Sequence, residues 1–506
     1  MSPLLPRGPR AARAALAATA VAVVSALALT GCSGSSDDDR GGADATVRVG
    51  LVLEPTSLDI RTQSGAALDQ VLIDNVYQGL VGRTEDGGIR DVLASEHEVS
   101  SDGLTYTFTL RDGTTFQDGE PVTADDVVWS LQQVKSNDSY VDSAQLANVT
   151  SIASSGDDTV VLKLAKPDSD LLWNLTGRAG LVLEESADND LADSANGTGP
   201  YEVSSWKQGD SLTFVRNDDY WGTKAKVGKV VFRYITDGST AVNAMASGDL
   251  DVQTSVDGTL KSQLEGSQDI SLHTGKTTDK YTLAFNDRKA PFTDVKVRKA
   301  IRQAIDPKAI IKAIGGTGVE QGGPIPELDP GYEDLTDVDA YDPDNAEKLL
   351  AEAGATDLSL TLTYPNIYSA TIGDVLKSQL ADVGITLTVQ RVDFATWLSQ
   401  VFEKHDFDLS MVNHVESRDF GNWANPDYYF GYDDKEVQDL YAASLATTDA
   451  DEKAEDLRKA ARIVSEDAAG EWLYTATSIT AVREGVTGFP YDGTNNRLDL
   501  SKLAVD

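Results

Sequence analysis

A chain of 506 residues with one cysteine must hold its fold without disulfides, and that cysteine, Cys32, lies directly behind the one long apolar run. Ala14 to Thr30 is made of Ala, Val and Leu, and is short and Ala-rich for a stable membrane span. Arg7, Arg10 and Arg13 precede it, and no acidic residue occurs before Cys32. That is the charge pattern of an export signal, and the lack of paired arginines favours a Sec-type over a twin-arginine route. Roughly 475 residues remain beyond such a leader. They exceed the usual limit of about 250–300 residues for one core, so at least two lobes held by packing alone are expected.

The order Leu29-Thr30-Gly31-Cys32 resembles a bacterial lipobox, with a small residue at the cleavage point and a thiol ready for a lipid. The resemblance implies a signal peptide over 1–31 and a lipid anchor at Cys32. It places the chain on the extracytoplasmic face of a bacterial cell membrane. Ser33 to Asp44 is rich in Gly, Ser and Asp without apolar periodicity and reads as a tether, so 32–45 is taken as lipidated cysteine plus linker. Losing residues 1–31, which carry three arginines and no acid, takes the formal charge from −38 to −41. So acidic a surface repels phosphate backbones and excludes nucleic acid as a partner.

Order begins at Thr46, where Val47, Val49, Leu51 and Leu53 alternate as a strand. Leu68, Val71, Leu72, Val76 and Leu80 follow helical spacing. Tyr106, Phe108 and Leu110 alternate with threonines, and Thr123 with Asp126 forms a capping-box pattern before a helix carrying Val127, Leu131 and Val134. Strands are expected at Val160–Leu164, Leu212–Val215 and Val230–Ile235, and a helix over Ser239–Ser247 ending at Gly248. In the second half, Asp306-Pro307 and Asp342-Pro343 each supply an N-cap and a proline at the first helical position. Leu358–Tyr364, a helix from Ile372 to Val383 and Ile385–Val389 make a βαβ unit, hence a parallel sheet. A helix from Phe394 to Val401, a strand Phe407–Val412 and a final strand Leu473–Val482 follow. The fold class is α/β.

Enzyme signatures are absent: there is no G-x-S-x-G and no H-E-x-x-H, and Gly275-Lys276-Thr277 lacks the first glycine of a phosphate loop. No cofactor is expected. The four histidines, His97, His273, His405 and His414, show no paired metal-ligand spacing on a helix face, so no metal site is assigned. Asn413 to Tyr432 stands out. It mixes Glu416, Arg418, Asp419 and Asp427 with Phe420, Trp423, Tyr428, Tyr429, Phe430 and Tyr432, without a regular period, directly after a strand of the open sheet. Ligands bind beyond the carboxyl ends of such strands, and aromatic faces with a few charges suit a small-molecule pocket.

Blocks along nearly the whole mature chain resemble the family 5 extracellular solute-binding proteins of ABC importers, the oligopeptide- and dipeptide-binding lipoproteins. They are Pro55-Thr56-Ser57-Leu58-Asp59, Leu110-Arg111-Asp112-Gly113, Phe116-Gln117-Asp118-Gly119 with Pro121 to Val127, Gly197 to Tyr201, Arg216 to Gly222, Leu283 to Asn286, Pro291-Phe292 and Val297 to Ile301. The resemblance implies a type II two-lobed periplasmic-binding-protein-like clamp. Lobe I would comprise 46–91, 205–285 and 477–506, with a peripheral subdomain over 92–204, and lobe II 286–476. Crossings are expected near Leu283–Asn286 and Tyr474–Ile479, with Asn286 as a hinge. It further implies that Asp419 holds a peptide α-amine, that Trp397 and Trp423 sit at aromatic pocket positions, and that Glu54 and Thr56 on the first strand's end, with His414 and Glu416, contact the ligand.

The function so implied is capture of a small solute, an oligopeptide or dipeptide, by a monomer that delivers it to a membrane permease and its ATPase. The alternatives are a binder of a metal chelate or other amine-bearing solute, and an exported hydrolase or sensory lipoprotein on the same scaffold.

Overall fold

The computed structural model describes residues 44–63, 65–493 and 497–506; Cys32, its leader and almost all of the tether lie outside them. No helix among the described residues is long and apolar enough to cross a membrane.

The alternation read from Val47 to Leu53 forms a strand, Thr46–Leu51, whose Val47, Val49 and Leu51 are fully buried; Leu53 lies past its end and is exposed. It opens an eleven-stranded sheet that runs through both halves of the chain. The sheet order is Thr386–Val392, Ser359–Pro365, Leu409–His414, Ile270–Phe285, Gly470–Arg483, Val252–Gln253, Thr46–Leu51, Lys229–Tyr234, Ser211–Arg216 and Tyr201–Lys207, with Gly318–Val319 attached beside Gly470–Arg483. Ser359–Pro365 and Thr386–Val392 pair in parallel, Leu360 against Leu387, and the helix Ala370–Asp382 lies between them in sequence, as the βαβ reading requires. Asp306 and Asp342 cap their helices by accepting from the amides of Lys308 and Asn345, each with proline in the first turn. The Thr123/Asp126 capping box also forms, and Gly248 closes its helix at φ 86°, a left-handed value that glycine adopts without strain.

Two long antiparallel strands, Ile270–Phe285 and Gly470–Arg483, tie the halves together. Their pairing breaks register between Lys276 and Lys280, opposite Thr475–Thr477. On one side of the break the strands serve a core of Val47, Leu212, Phe232 and Val482, which also takes in Leu498, Leu500 and Leu503 from the C-terminal tail. On the other they serve a core of Leu283, Phe285, Ile301, Leu362, Leu376 and Leu409. Distinct cores on either side of one ribbon are how a chain of this length divides. A four-stranded antiparallel sheet, Ala94–Val99, Thr105–Leu110, Thr159–Leu164 and Val149–Ser154, packs with the helix Ala124–Ser136 around a third core.

One helix is shorter than its pattern. The apolar spacing from Leu68 to Leu80 suggests one continuous helix, but the helix is Ala66–Leu72 and the chain turns at Asp74, φ 69°. The buried Asn75 amide donates to Val71 O and Leu498 O, while its carbonyl accepts from Leu500 N. Side-chain bonds to the C-terminal tail take the place of the next helical turn, and Val76 and Leu80 stay buried without it.

Candidate functional site

The strand Leu409–His414 delivers the Asn413–Tyr432 segment, and the segment divides by chemistry. Its aromatic part goes inward. Phe420, Trp423, Tyr429, Phe430 and Tyr432 join Trp397 and Trp472 in a buried cluster. Trp423 stacks on Phe430 at 4.1 Å and is 5% exposed; Trp397 is 4% exposed and donates from Nε1 to Ser410 Oγ at 2.9 Å. Residues 415–418 turn toward the first half of the chain, while His414 stays with the aromatics, its ring stacked on Tyr429.

There residues 415–418 meet a cavity of about 520 Å³, lined by Asp69, Asp142, Trp173 and Arg178 from the first half and by Glu416 and Arg418 from the second. Another cavity of about 520 Å³, around Arg90, Arg111, Trp221 and Asp499, is lined only by the first half and the C-terminal tail. Only the former of these two is walled by both halves, as a clamp requires. Its volume lies within the usual range of about 300–1,000 Å³ for small-molecule sites.

Charge is arranged carefully around this cavity. Arg178 pairs with Asp69 and donates to the carbonyls of Gln63 and Gly65, pinning the loop before the helix Ala66–Leu72. Trp173 is flanked by two guanidinium groups, Arg418 at 3.8 Å and Arg83 at 4.0 Å from its ring centre. Such cation–π contacts gain strength when desolvated. Arg418 holds φ at 59° and donates from Nη2 to Gly87 O at 3.0 Å, joining the halves directly. Gly87 itself approaches so closely that a Cβ there would lie 2.6 Å from Leu328 O. A second joint lies nearby: Lys453 Nζ sits 2.5 Å from Asp170 Oδ1, and Ser169 donates from N to Leu445 O and from Oγ to Ser444 O.

Behind the cavity wall stands a buried cation. Lys280 is 3% exposed; its ammonium lies 3.2 Å from Asp419 Oδ1 and donates to Glu416 O at 2.8 Å and Thr278 O at 3.1 Å. Burial raises the Asp419 carboxyl above its ordinary value, against the pull of Lys280. Asp329 accepts from Arg418 N at 2.7 Å and from the Ser417 hydroxyl, fixing the turn. Burial also pushes the Asp279 carboxyl up to about 6 and the His414 imidazole down to about 4. His414 Nε2 lies 3.2 Å from the Tyr429 hydroxyl.

The ligating atoms of His414, Glu416 and Asp419 lie within 4.8 Å of one another, a spacing that could hold a cation. The Lys280 ammonium bound to Asp419 disfavours a bare metal ion there. Among the residues expected at the site, Glu416 lines the large cavity, while Asp419 borders a void of only about 20 Å³ with Asp329, Arg418 and Lys453. Glu54 and Thr56 are not on the cavity wall: Glu54 accepts from Gly209 N at 2.5 Å, and Thr56 donates to Gln63 Oε1 at 2.8 Å. Asn286 is buried past the register break, and its amide donates to His405 O and Phe407 O. Lys280, Arg178 and Trp173 carry no local motif; only the fold brings them together.

The profile of the bacterial extracellular solute-binding proteins, family 5, matches residues 88–437, and the chain belongs to that family. It is 28% identical, over 88% of this chain and 91% of the relative, to a probable D,D-dipeptide-binding periplasmic protein of Escherichia coli K12, DdpA. It is 27% identical, over 83% and 87%, to the glutathione-binding protein GsiB of Salmonella typhimurium. Among solved structures, the binding protein AgaA of A. tumefaciens R10 in complex with agropinic acid superposes with a TM-score of 0.74 at 26% identity, covering 91% of this chain and 99% of that one. HbpA2 of Haemophilus parasuis shares the fold with a TM-score of 0.81 at 20% identity, covering 91% and 100%. The α/β two-lobed architecture and the solute-binding class expected from the sequence are both found.

Proposed function

We propose that this protein is the lipid-anchored receptor of an ABC importer, and that it closes its two lobes on a short peptide or a closely related amino-acid conjugate. The cavity walled by both halves and lined by acids and arginines together carries this reading, because a zwitterion needs both signs within one small volume. The dipeptide, glutathione and agropinic acid named for its relatives are all small, polar and acid-bearing. Ligand contacts with both lobes favour closure through their differential affinity for the closed state, and no catalytic step is needed. The register break at Lys276–Lys280 opposite Thr475–Thr477 supports a hinge in the two connecting strands, with lobe I over 46–91, 205–285 and 477–506, its subdomain over 92–204, and lobe II over 286–476. Lipidation at Cys32 would hold the monomer outside the cell beside its permease and ATPase.

Two experiments test this. Deleting the chain in its host should abolish uptake of the labelled peptide that the purified protein binds; unchanged uptake would refute import. Labelled palmitate should join the wild-type chain and not the Cys32→Ser variant; equal labelling of both, or none of either, would refute the anchor.

A further inference from the structure

We infer that the body built on the third core is the catch of the clamp: its segment Ser169–Trp173 receives the second half and favours closure through groups of the chain alone, whatever solute is enclosed. The inference rests on reading the two halves as hinged lobes. The segment is fixed from behind. Leu171 is buried in the third core, and the Tyr106 hydroxyl, on the strand Thr105–Leu110, donates to Asp168 O at 2.9 Å. The second half therefore lands on part of a packed body and not on a free loop.

Each contact meets a need of the second half. The helix Lys435–Ala446 ends in carbonyls that no further turn can satisfy. Ser169 donates from N to Leu445 O at 3.0 Å and from Oγ to Ser444 O at 2.9 Å, and so caps that helix from the other side of the gap. In the first turns of the helix Ala450–Glu466, Lys453 is 8% exposed and finds its carboxylate on Asp170. Arg418, held through its amide by Asp329, lays its guanidinium on Trp173. The turn between the two helices comes close as well: a Cβ at Gly103, beside the strand Thr105–Leu110, would lie 3.7 Å from Thr448 Cγ2. Opening the clamp returns the Ser444 and Leu445 carbonyls and the Lys453 ammonium to water. Ser169, Ser444 and Lys453 do not line the cavity between the halves, so they act on closure without touching the solute. Their contribution to the open–closed balance is the same for every solute: the catch sets affinity in general and selects nothing.

The test is cross-linking across this contact. The parent is the mature chain with Cys32→Ser, Ser101→Cys and Thr448→Cys; the new cysteines stand on exposed residues at either side of the contact, and no other thiol remains. A flexible bismaleimide is the probe, no solute is added, and rates are normalised to each cysteine's reaction with a monofunctional maleimide. The cross-link should form in the parent. Ser169→Ala or Lys453→Met should each slow it at least about threefold, and the two together more, as the closed population falls. Thermal unfolding checks that each variant is folded, and Ser169→Ala, which removes a single hydroxyl, decides the matter if Lys453→Met does not fold. A cross-link that forms only after a dipeptide mixture is added would overturn the catch and leave the clamp reading standing. Equal rates in the parent and both variants would overturn it too, the contact then being permanent; scattering unchanged by the peptides would in that case count against the clamp itself. No cross-link with or without peptides would refute the landing of the second half on this segment.

Discussion

Lys453→Met should loosen the closed clamp far more than it damages either lobe. Lys453 stands on the helix Ala450–Glu466 of the second half, and its Nζ lies 2.5 Å from Asp170 of the first, with side chains only 10% and 18% exposed. Asp168 stands beside Asp170; burial first, and then the Asp170 charge, raises its carboxyl, and Lys453 opposes that rise. Removing the lysine strands two carboxylates together. Removing one partner of a fully buried pair costs about 3–5 kcal/mol, and the residual exposure here brings that to about 2–3 kcal/mol. If the contact belongs to the closed arrangement alone, that energy is a shift of about 30- to 150-fold toward open, at about 1.4 kcal/mol per tenfold. Affinity for the solute should fall in step, since binding must then supply the closure. Small-angle scattering of the ligand-free protein should report a larger radius of gyration, and calorimetry a weaker Kd. The double variant Lys453→Met/Asp170→Asn should recover most of the loss. An unchanged radius and Kd, with only a lowered unfolding temperature, would refute the argument: the joint would then be fixed scaffolding.

Three further outcomes follow from the same contacts. Gly87→Ala forces a side chain onto a left-handed residue, a strain of roughly 1–2 kcal/mol that lowers stability whether the lobes are open or closed, and sets a Cβ against Leu328 O, so it should also weaken solute binding; wild-type affinity would contradict the close approach of the halves. Arg302→Met leaves Glu471 buried without its guanidinium partner at 2.9 Å and should cost about 3–5 kcal/mol in urea unfolding, with a loss under about 1 kcal/mol as the refuting result. Asp279 has a folded pKa of about 6, raised by burial, against about 3.9 unfolded, so the folded state holds more protons between those values and stability falls as pH rises through that window. Asp279→Asn should therefore be more stable than wild type above pH 6, with the gap closing by about pH 4; a gap that widens on acidification would contradict the sign.

Much of this architecture is written in local pattern. The alternating Val47, Val49 and Leu51, the Asp-Pro helix starts and the βαβ unit over 358–392 each depend on neighbours a few residues away, and each formed as read. The overextended helix after Leu72 fails for the opposite reason: the Asn75 bonds that end it reach Leu498 and Leu500, more than four hundred residues onward. The site follows the same division. Charge and aromaticity single out Asn413–Tyr432, part of which lines the cavity between the halves, but no period separates Trp423, which enters the core, from Glu416, which faces the cavity. The Lys280–Asp419 contact is invisible in sequence, because Lys280 lies on another strand and shows its partner only once the sheet register is known.

The claim beneath all of this is that the chain captures one small solute between two lobes and releases it unaltered. Native mass spectrometry of freshly purified protein, before and after addition of a dipeptide mixture, tests it most directly. The account predicts a single one-to-one adduct, lost on unfolding and recovered with its mass unchanged. Absence of any adduct, or steady conversion of the peptides to amino acids, would contradict it.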